Sequence, residues 1–306
     1  MRYYILAVIL LLLSFSFQLK AAQPYTPEIA NPITESWRWR HFPELEGKGV
    51  RCIVEDVSGI VWFGVNEGVI EYNGYEWKWH NEENGLLGSP VEQLYASKNG
   101  AIYATTSKGL FTYKNNRWHL IFSLQGTPDM TFFQIRELSN GNLMLCTRFG
   151  VIEIQKNRLF RVFTSNVNRQ TLAGSLKNAT WVMLPEEVMN NGSFLDISDI
   201  LEPQTGSIWM SVTVEGHSRI LQFNPNKISG ETIRDYTIIN SNGPYPFGET
   251  QKMLKTQDNS IWIVNTSTNV GIHKYDGKRW DYIELSDLFG GDEFSTDIVQ
   301  SSDGTI

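Results

Sequence analysis

The stretch RCIVEDVSGIVWFGVNEGVIEYNGYEWKWH, residues 51–80, contains four short apolar segments separated by three turn signals. The turns fall at Ser58-Gly59, Glu67-Gly68 and Asn73-Gly74, where glycine supplies the positive φ that tight hairpins require. The second segment, residues 60–65, is apolar on both sides rather than alternating, which indicates a strand covered on both faces. The stretch therefore predicts four short antiparallel strands joined by hairpins.

The same pattern recurs along the chain. A second copy reads EQLYASKNGAIYATTSKGLFTYKNNRWHLI and a third reads QIRELSNGNLMLCTRFGVIEIQKNRLFRVF, and later copies begin ISDILEPQTGSIWMSV, QKMLKTQDNSIWIVN and TDIVQSSDGTI. One repeat position is held by Trp62, Tyr103, Met144, Trp209 and Trp262, the first three at intervals of 41 residues. A second repeat position is held by Trp77, Trp118, Leu159 and Trp280. Four strands in about 41 residues, repeated, predict the blades of a β-propeller, with these side chains as wedges between blades.

We therefore predict an all-β protein, a β-propeller with about five complete four-stranded blades and a partial sixth, as part of a seven-bladed ring. The expected blades lie near residues 47–90, 91–131, 132–165, 195–247, 250–288 and 295–306. Residues 35–42 resemble a fourth strand that lacks its first three, and we expect them to close the ring after a linker at residues 23–34. Because the chain stops inside a hairpin at Ile306, we expect an incomplete propeller, residues 35–306, cut from a longer protein.

The N-terminus and the charge restrict the location and the partners. MRYYILAVILLLLSFSFQLKAA, residues 1–22, has the layout of a signal peptide, with an uncleaved N-terminal anchor as the alternative. We expect export to the periplasmic or extracellular side of a bacterial membrane. Membrane contact is expected only through this segment or a missing C-terminal part. The net charge of −7 and the lack of a run of basic residues argue against nucleic acid as a partner.

No catalytic chemistry is predicted. Gly290-Gly291-Asp292-Glu293-Phe294 spells the signature of diguanylate cyclases, but it falls between two blades rather than in an α/β domain, and we interpret it as a chance match. The histidines lack the spacing of metal ligands such as HExxH, so no metal, cofactor or catalytic residue is predicted. Carboxylates that converge from separate blades stay open as an alternative. Cys52 and Cys146 are expected to be buried thiols rather than a disulfide.

The repeat resembles the two-component regulator propeller repeat. The residues that carry the resemblance are Ile53-Val54-Glu55-Asp56, Gly59, Trp62-Phe63-Gly64, Glu67-Gly68-Val69, Tyr72-Asn73-Gly74, Ile261-Trp262 and Tyr275-Asp276-Gly277. The resemblance implies the extracytoplasmic sensor propeller of a histidine kinase or hybrid two-component regulator. It also implies a small carbohydrate-like ligand and a kinase module beyond Ile306, with a homodimer as one assembly of the full-length protein.

Insertions into the repeat point to a binding surface. The longest lies between Leu159 and Trp209, and shorter additions follow the second strands of blades four and five. Connections between blades and between second and third strands emerge on one face of a propeller, and surface loops carry recognition. We therefore predict four ligand-binding residues on that face, Arg148, Trp181, His217 and Asn269. Two other functions stay open: an exported propeller enzyme of the lyase or glycosidase type, and a protein-interaction scaffold.

Overall fold

The computed structural model describes residues 41–123, 130–156, 158–172, 176, 178–188, 196–214, 217–240, 246–266, 271–284, 297–300, 304 and 306. Glu44–Ile306 forms one compact unit, which contains every described strand. Its strands are β1 (Cys52–Glu55), β2 (Val61–Val65), β3 (Gly68–Tyr72), β4 (Trp77–His80), β5 (Val91–Ala96), β6 (Ile102–Thr106), β7 (Gly109–Lys114), β8 (Arg117–Ser123), β9 (Phe132–Glu137), β10 (Leu143–Thr147), β11 (Gly150–Gln155), β12 (Arg158–Thr164), β13 (Thr180–Met183), β14 (Ile200–Gln204), β15 (Ser207–Val214), β16 (His217–Phe223), β17 (Tyr236–Ile239), β18 (Glu249–Lys255), β19 (Ile261–Thr266), β20 (Gly271–Tyr275) and β21 (Trp280–Glu284). One short α-helix, α1 (Asn166–Leu172), interrupts this order.

These strands form five sheets in chain order, and within each sheet every strand pairs with the next, antiparallel in every case except the pair of β12 and β13. The first strands of successive sheets, β1, β5, β9, β14 and β18, contact one another. They therefore lie innermost, and the fourth strands lie at the rim. This arrangement confirms the predicted propeller with five complete blades. The seven-bladed total stays a prediction.

The recurring large side chains fill the spaces between blades, as predicted. Trp62 on β2 is only 2% exposed and packs in one cluster with Leu94 and Phe111 of blade two. Trp209 on β15 packs in the same way with Met253 of blade five. Met144 serves this purpose without a ring, because it is fully buried in a cluster that spans blades three and four. The wedge position therefore requires bulk rather than an aromatic ring.

The glycine that begins the third strand is required by a close approach of backbone. Gly109 has a φ of +138°, and a Cβ atom there would lie 1.9 Å from the carbonyl oxygen of Phe122 on the fourth strand. Gly68 and Gly150 begin the third strands of blades one and three with φ values of +143° and +134°. This constraint explains why the second turn of the repeat carries glycine at a fixed place.

The long insertion after blade three is not an open loop in its described part, which corrects the expectation from the sequence. After α1 the chain returns as β13, which adds a fifth strand parallel to β12. Blade three therefore extends beyond its predicted end at residue 165. The other edge of β13 bonds to blade four, because the Met183 amide donates to the Glu231 carbonyl at 2.6 Å. Leu172 and Leu184 of the insertion are buried, so the segment contributes to the core.

Several predicted segments fall partly or wholly outside the described residues. Residues 35–40 of the proposed closing strand do so, as do residues 290–294 with the cyclase-like signature. Of the partial sixth blade, Ile298 is buried, and Asp297 forms an ion pair of 2.5 Å with Lys252. No helix in the described part of the chain is long and apolar enough to cross a membrane.

The two cysteines are both free thiols. Cys146 is fully buried and Cys52 half-buried, and burial raises the pKa of Cys52 to about 12. Thiols this hard to ionise are poor nucleophiles, which fits structural positions.

Candidate functional site

The innermost strands of blades two to five surround an opening of about 830 Å³, called here the central opening. Its wall consists of first strands and of the turns that follow them. Tyr95, Arg136, Leu201 and Lys255, one from each of these blades, all line it. The opening lies on the side that carries the turns between first and second strands, whereas the sequence pointed to the opposite face.

A buried ion pair fixes three blades at this opening. The guanidinium of Arg136 donates to both carboxylate oxygens of Asp199, from Nε at 2.9 Å and from Nη2 at 2.6 Å. The same carboxylate accepts the backbone amides of Ile200 and Met253, each at 2.7 Å. Burial opposes the charge on Arg136, but the coulombic attraction of Asp199 leaves the pKa of Arg136 raised. The pair therefore joins the first strands of blades three, four and five.

A second set of contacts links the first strands of blades three, four and five to the blade that precedes each of them. The hydroxyl of Ser97 donates to Glu137 Oε2 at 2.5 Å, and the backbone amide of Ser139 donates to Glu202 Oε2 at 2.6 Å. At the same repeat position in blade five, Lys255 donates to the carbonyl oxygen of Pro203 at 2.6 Å. The wall of the central opening is therefore held by side chains that cross between blades.

The phenol of Tyr95 is the aromatic group of this wall. Burial raises the pKa of Tyr95, and the nearby charge of Glu137 raises it further. The phenol and the charged side chains Lys98, Glu137, Glu202 and Lys255 give the opening a wall of mixed polar and apolar character. Such a wall suits a polar small molecule with groups that both donate and accept hydrogen bonds.

The central opening continues outward between blades four and five. A second cavity of about 410 Å³ shares Pro203, Gln204 and Lys255 with the opening. A third cavity of about 470 Å³ shares Trp209, Gln222 and Tyr275 with the second. Together the second and third cavities form what we call the seam groove, which runs from the central opening to the rim strands β17 and β21.

Of the four ligand-binding residues predicted from the sequence, the structure describes the side chains of Arg148 and Trp181. Arg148 is exposed in the turn between β10 and β11. Trp181 lies half-buried on β13, with the guanidinium of Arg169 5.8 Å from its ring. His217 begins β16, but its side chain and the whole of Asn269 lie outside the described residues. A joint binding role for these four residues stays a prediction.

Arg148 has one described electrostatic neighbour. Burial raises the pKa of Asp196, and the positive charge of Arg148 opposes that shift. Asp196 precedes β14 and bridges to Thr213 of β15. This contact lies where the chain enters blade four, so Arg148 contributes to the junction of blades three and four.

The sequence did not identify the residues that line the central opening and the seam groove. Arg136, Glu202 and Lys255, which line the central opening, lie within the repeat itself, so no insertion marks them. One signal was available within the repeat. Two residues stand just before the first turn, three and two positions ahead of its glycine. They are Asp56-Val57 in blade one but Pro203-Gln204 in blade four. Among the described residues, no group of three metal-ligating side chains lies close enough to hold an ion.

Comparison with known proteins shows the fold. No protein-family model matches the chain, and no curated protein matches it. A solved structure of a catalytically inactive virginiamycin B lyase from Staphylococcus aureus, with quinupristin, is similar with a TM-score of 0.53 and 15% identity, over 78% of this chain and 70% of that one. The extracellular domain assigned to a hybrid two-component system of B. thetaiotaomicron is similar with a TM-score of 0.50 and 16% identity, over 87% of this chain and 39% of that one. At these identities both likenesses establish a β-propeller and nothing finer.

Proposed function

We propose that the chain is the ligand-sensing propeller of an extracytoplasmic two-component signalling protein, a sensor histidine kinase or hybrid regulator. The observation that carries the proposal is the central opening of about 830 Å³, lined by four blades. Its size lies within the range of about 300–1,000 Å³ that is typical of small-molecule sites. In this proposal the chain binds a small carbohydrate-like ligand, and a kinase elsewhere in the longer protein performs the chemistry.

The construction of the opening supports a sensing role. A ligand there contacts several blades at once, and Arg136–Asp199 and the Glu137 and Glu202 contacts join the same blades. A ligand that binds one arrangement of these blades more tightly than another shifts the population toward it. A ring of linked blades can therefore report occupancy to an attached module.

Three further features support the proposal. The repeat resembles that of two-component regulator propellers, with Trp62 and Trp262 at its most recognisable position. The apolar segment in residues 1–22 suits export. The structural likeness to an extracellular domain of a two-component system supports the propeller part of the proposal.

A calorimetric screen of the full chain tests ligand sensing. The panel contains neutral and acidic oligosaccharides, and each compound is recovered afterwards and analysed by chromatography. We expect at least one compound to bind saturably and to be recovered unchanged. Conversion of a bound compound would instead favour a propeller enzyme, and a panel without any binder would count against the proposal.

Export is tested separately with a reporter fusion. Alkaline phosphatase joined after residue 40 is active only where the reporter reaches an oxidising compartment. We expect activity that is lost when residues 1–22 are deleted. Equal activity with and without that segment would contradict export through it.

A further inference from the structure

Two seams between blades carry the same three aromatic side chains at equivalent positions. The wedge from one blade faces a tyrosine on the third strand and a tryptophan on the fourth strand of the next blade. The sets are Trp62, Tyr113 and Trp118 between blades one and two, and Trp209, Tyr275 and Trp280 between blades four and five. The ring centroids of the two tryptophans lie 6.3 Å apart in both seams. The first seam therefore serves as an internal reference for the second.

Two polar contacts close the reference seam. The indole nitrogen of Trp62 donates to Asp56 Oδ2 at 2.9 Å. The ammonium group of Lys78 donates to the hydroxyl of Tyr113 at 3.1 Å and lies 5.7 Å from its ring. No cavity described above lies in this seam.

The seam between blades four and five lacks both contacts. Pro203 stands where blade one has Asp56, six residues before the wedge tryptophan. Thr237 stands where blade one has Lys78. This position follows from the register of the strands, in which Trp209 of β15 lies opposite Gln222 of β16 and Gln222 lies opposite Thr237 of β17. Neither residue can make the closing contact, and the seam groove occupies the space.

One consequence is an unpartnered donor. Trp209 is 6% exposed, and its indole nitrogen is buried without a hydrogen-bond partner. A buried N–H without a partner is destabilising, so an acceptor there is favoured. The indoles of Trp118 and Trp262 are also buried and unpartnered, but neither lines a cavity described here. Trp209 alone of the three combines an unpartnered N–H with a groove.

The charge of the seam groove selects the acceptor. Its lining contains three cations, Lys255, Lys278 and Arg279, and one carboxylate, Asp276. Asp276 already accepts the backbone amides of Lys278 and Arg279 at 2.8 and 2.9 Å. Arg279 is already paired with Asp276 and Asp281, at 3.9 and 3.4 Å. The positive charge of Lys255 and Lys278 along the groove favours an anion that accepts hydrogen bonds, and Asp56 shows that a carboxylate fits the indole donor at this repeat position.

We infer, on the basis of the ligand-sensing role proposed above, that the seam groove binds a carboxylate-bearing saccharide. Its carboxylate accepts the hydrogen bond of Trp209, as Asp56 does for Trp62, and its sugar rings pack on Tyr275 and Trp280. Because the indole nitrogen is buried, binding displaces part of the wall around it. The rest of the ligand extends past Lys255 into the central opening.

Nuclear magnetic resonance of the full chain tests the inference with trigalacturonate as the probe and maltotriose as its neutral control. The indole N–H signal of Trp209 is assigned by its loss in Trp209→Phe. We expect trigalacturonate to shift this signal saturably and maltotriose to leave it in place. Trp209→Phe should weaken binding of trigalacturonate about tenfold, the usual effect of one hydrogen bond to a charged group.

Substitution at position 203 provides the matched test. Pro203→Asp supplies the carboxylate from within the chain, so it should shift the Trp209 signal without ligand and abolish the response to trigalacturonate. Pro203→Ala changes the backbone without adding charge and should retain a saturable response. Asp56→Ala in the reference seam should leave the response unchanged.

Three results would overturn the inference: no shift of the Trp209 signal, an equal shift with maltotriose, or loss of the response in Asp56→Ala. None of them would decide the proposed function. A compound from the calorimetric screen that binds the unmodified chain and Trp209→Phe equally would retain ligand sensing and place it outside the seam groove.

Discussion

The carboxylate of Asp199 is shared by the innermost strands of three blades. It is fully buried and receives two hydrogen bonds from Arg136 and two from backbone amides. Removal of one member of a buried ion pair leaves the other charge without compensation. Asp199 is therefore the single residue on which the geometry of the central opening depends most directly.

We predict that Asp199→Asn lowers the free energy of unfolding by about 3–5 kcal/mol. The control is Asp235→Asn, since the pair of Lys227 and Asp235 is 3.9 Å apart with both side chains largely exposed. The control should change the free energy by less than about 1 kcal/mol. Urea unfolding of the three proteins measures both values. Equal effects of the two substitutions would show that the buried pair does not hold the ring.

His80 is the second residue with a predicted effect. Its side chain is fully buried against Trp62 and Tyr113, and its Nε2 lies 2.8 Å from Glu71 Oε2. Burial lowers the pKa of His80 below 6.5, although Glu71 opposes the shift. The folded chain therefore binds a proton less readily than the unfolded chain.

This direction gives a dependence of stability on pH. The contribution of neutral His80 is fully present above its unfolded pKa of 6.5 and is lost as pH falls through the lower folded pKa. His80→Gln retains a donor for Glu71 but does not titrate. We predict that the wild type loses stability relative to His80→Gln as pH falls from 7 to 5, measured by urea unfolding. Parallel curves would contradict the assignment.

In blades one, two and three, the third strand begins with a glycine of positive φ, at Gly68, Gly109 and Gly150. We predict that Gly109→Ala costs about 2–5 kcal/mol, because its Cβ atom meets the Phe122 carbonyl and its φ is strained. Gly74→Ala is the matched control, since that Cβ atom would meet nothing within 4 Å. Its cost should be about 1–2 kcal/mol, from φ alone. Thermal unfolding of both variants compares them, and similar losses would refute the close approach.

The added strand β13 makes a prediction about dynamics. The amide of Leu184 donates to Thr164 of blade three and the amide of Met183 donates to Glu231 of blade four, where an isolated bridge joins Met183 to Thr232. We predict that these two amides exchange with deuterium as slowly as the amides of β12. Amides near Tyr75, which is 93% exposed in a turn, should exchange fast and serve as the reference. Fast exchange at residues 183–184 would return this segment to the open loop that the sequence suggested.

At the scale of the whole molecule, the repeat predicted the blades because each strand carries its own local signal. Trp62, Gly68 and Trp77 mark strand, turn and strand within one blade, so no long-range information was needed. The strand β13 could not be predicted, because its four residues occur once and have no counterpart in other blades. Its pairing depends on an edge that exists only after blade three has folded.

The candidate site was predicted less well than the fold. Length of insertion pointed to Arg148 and Trp181, whereas the described cavities are formed by residues inside the repeat. Arg136 and Asp199 are 63 residues apart and meet only when blades three and four are both in place. The open seam depends on two substitutions within the repeat, Pro203 and Thr237, whose effect becomes visible when one blade is compared with another.

The central claim is that this ring recognises a ligand at the central opening and along the seam groove. A crystal structure of the full chain with trigalacturonate tests the claim most directly. We predict electron density for the saccharide packed on Tyr275 and Trp280, whose rings contact each other, with a carboxylate on the indole nitrogen of Trp209 and the chain of rings passing Lys255. Density confined to another part of the surface, or an unoccupied groove at saturating trigalacturonate, would contradict it.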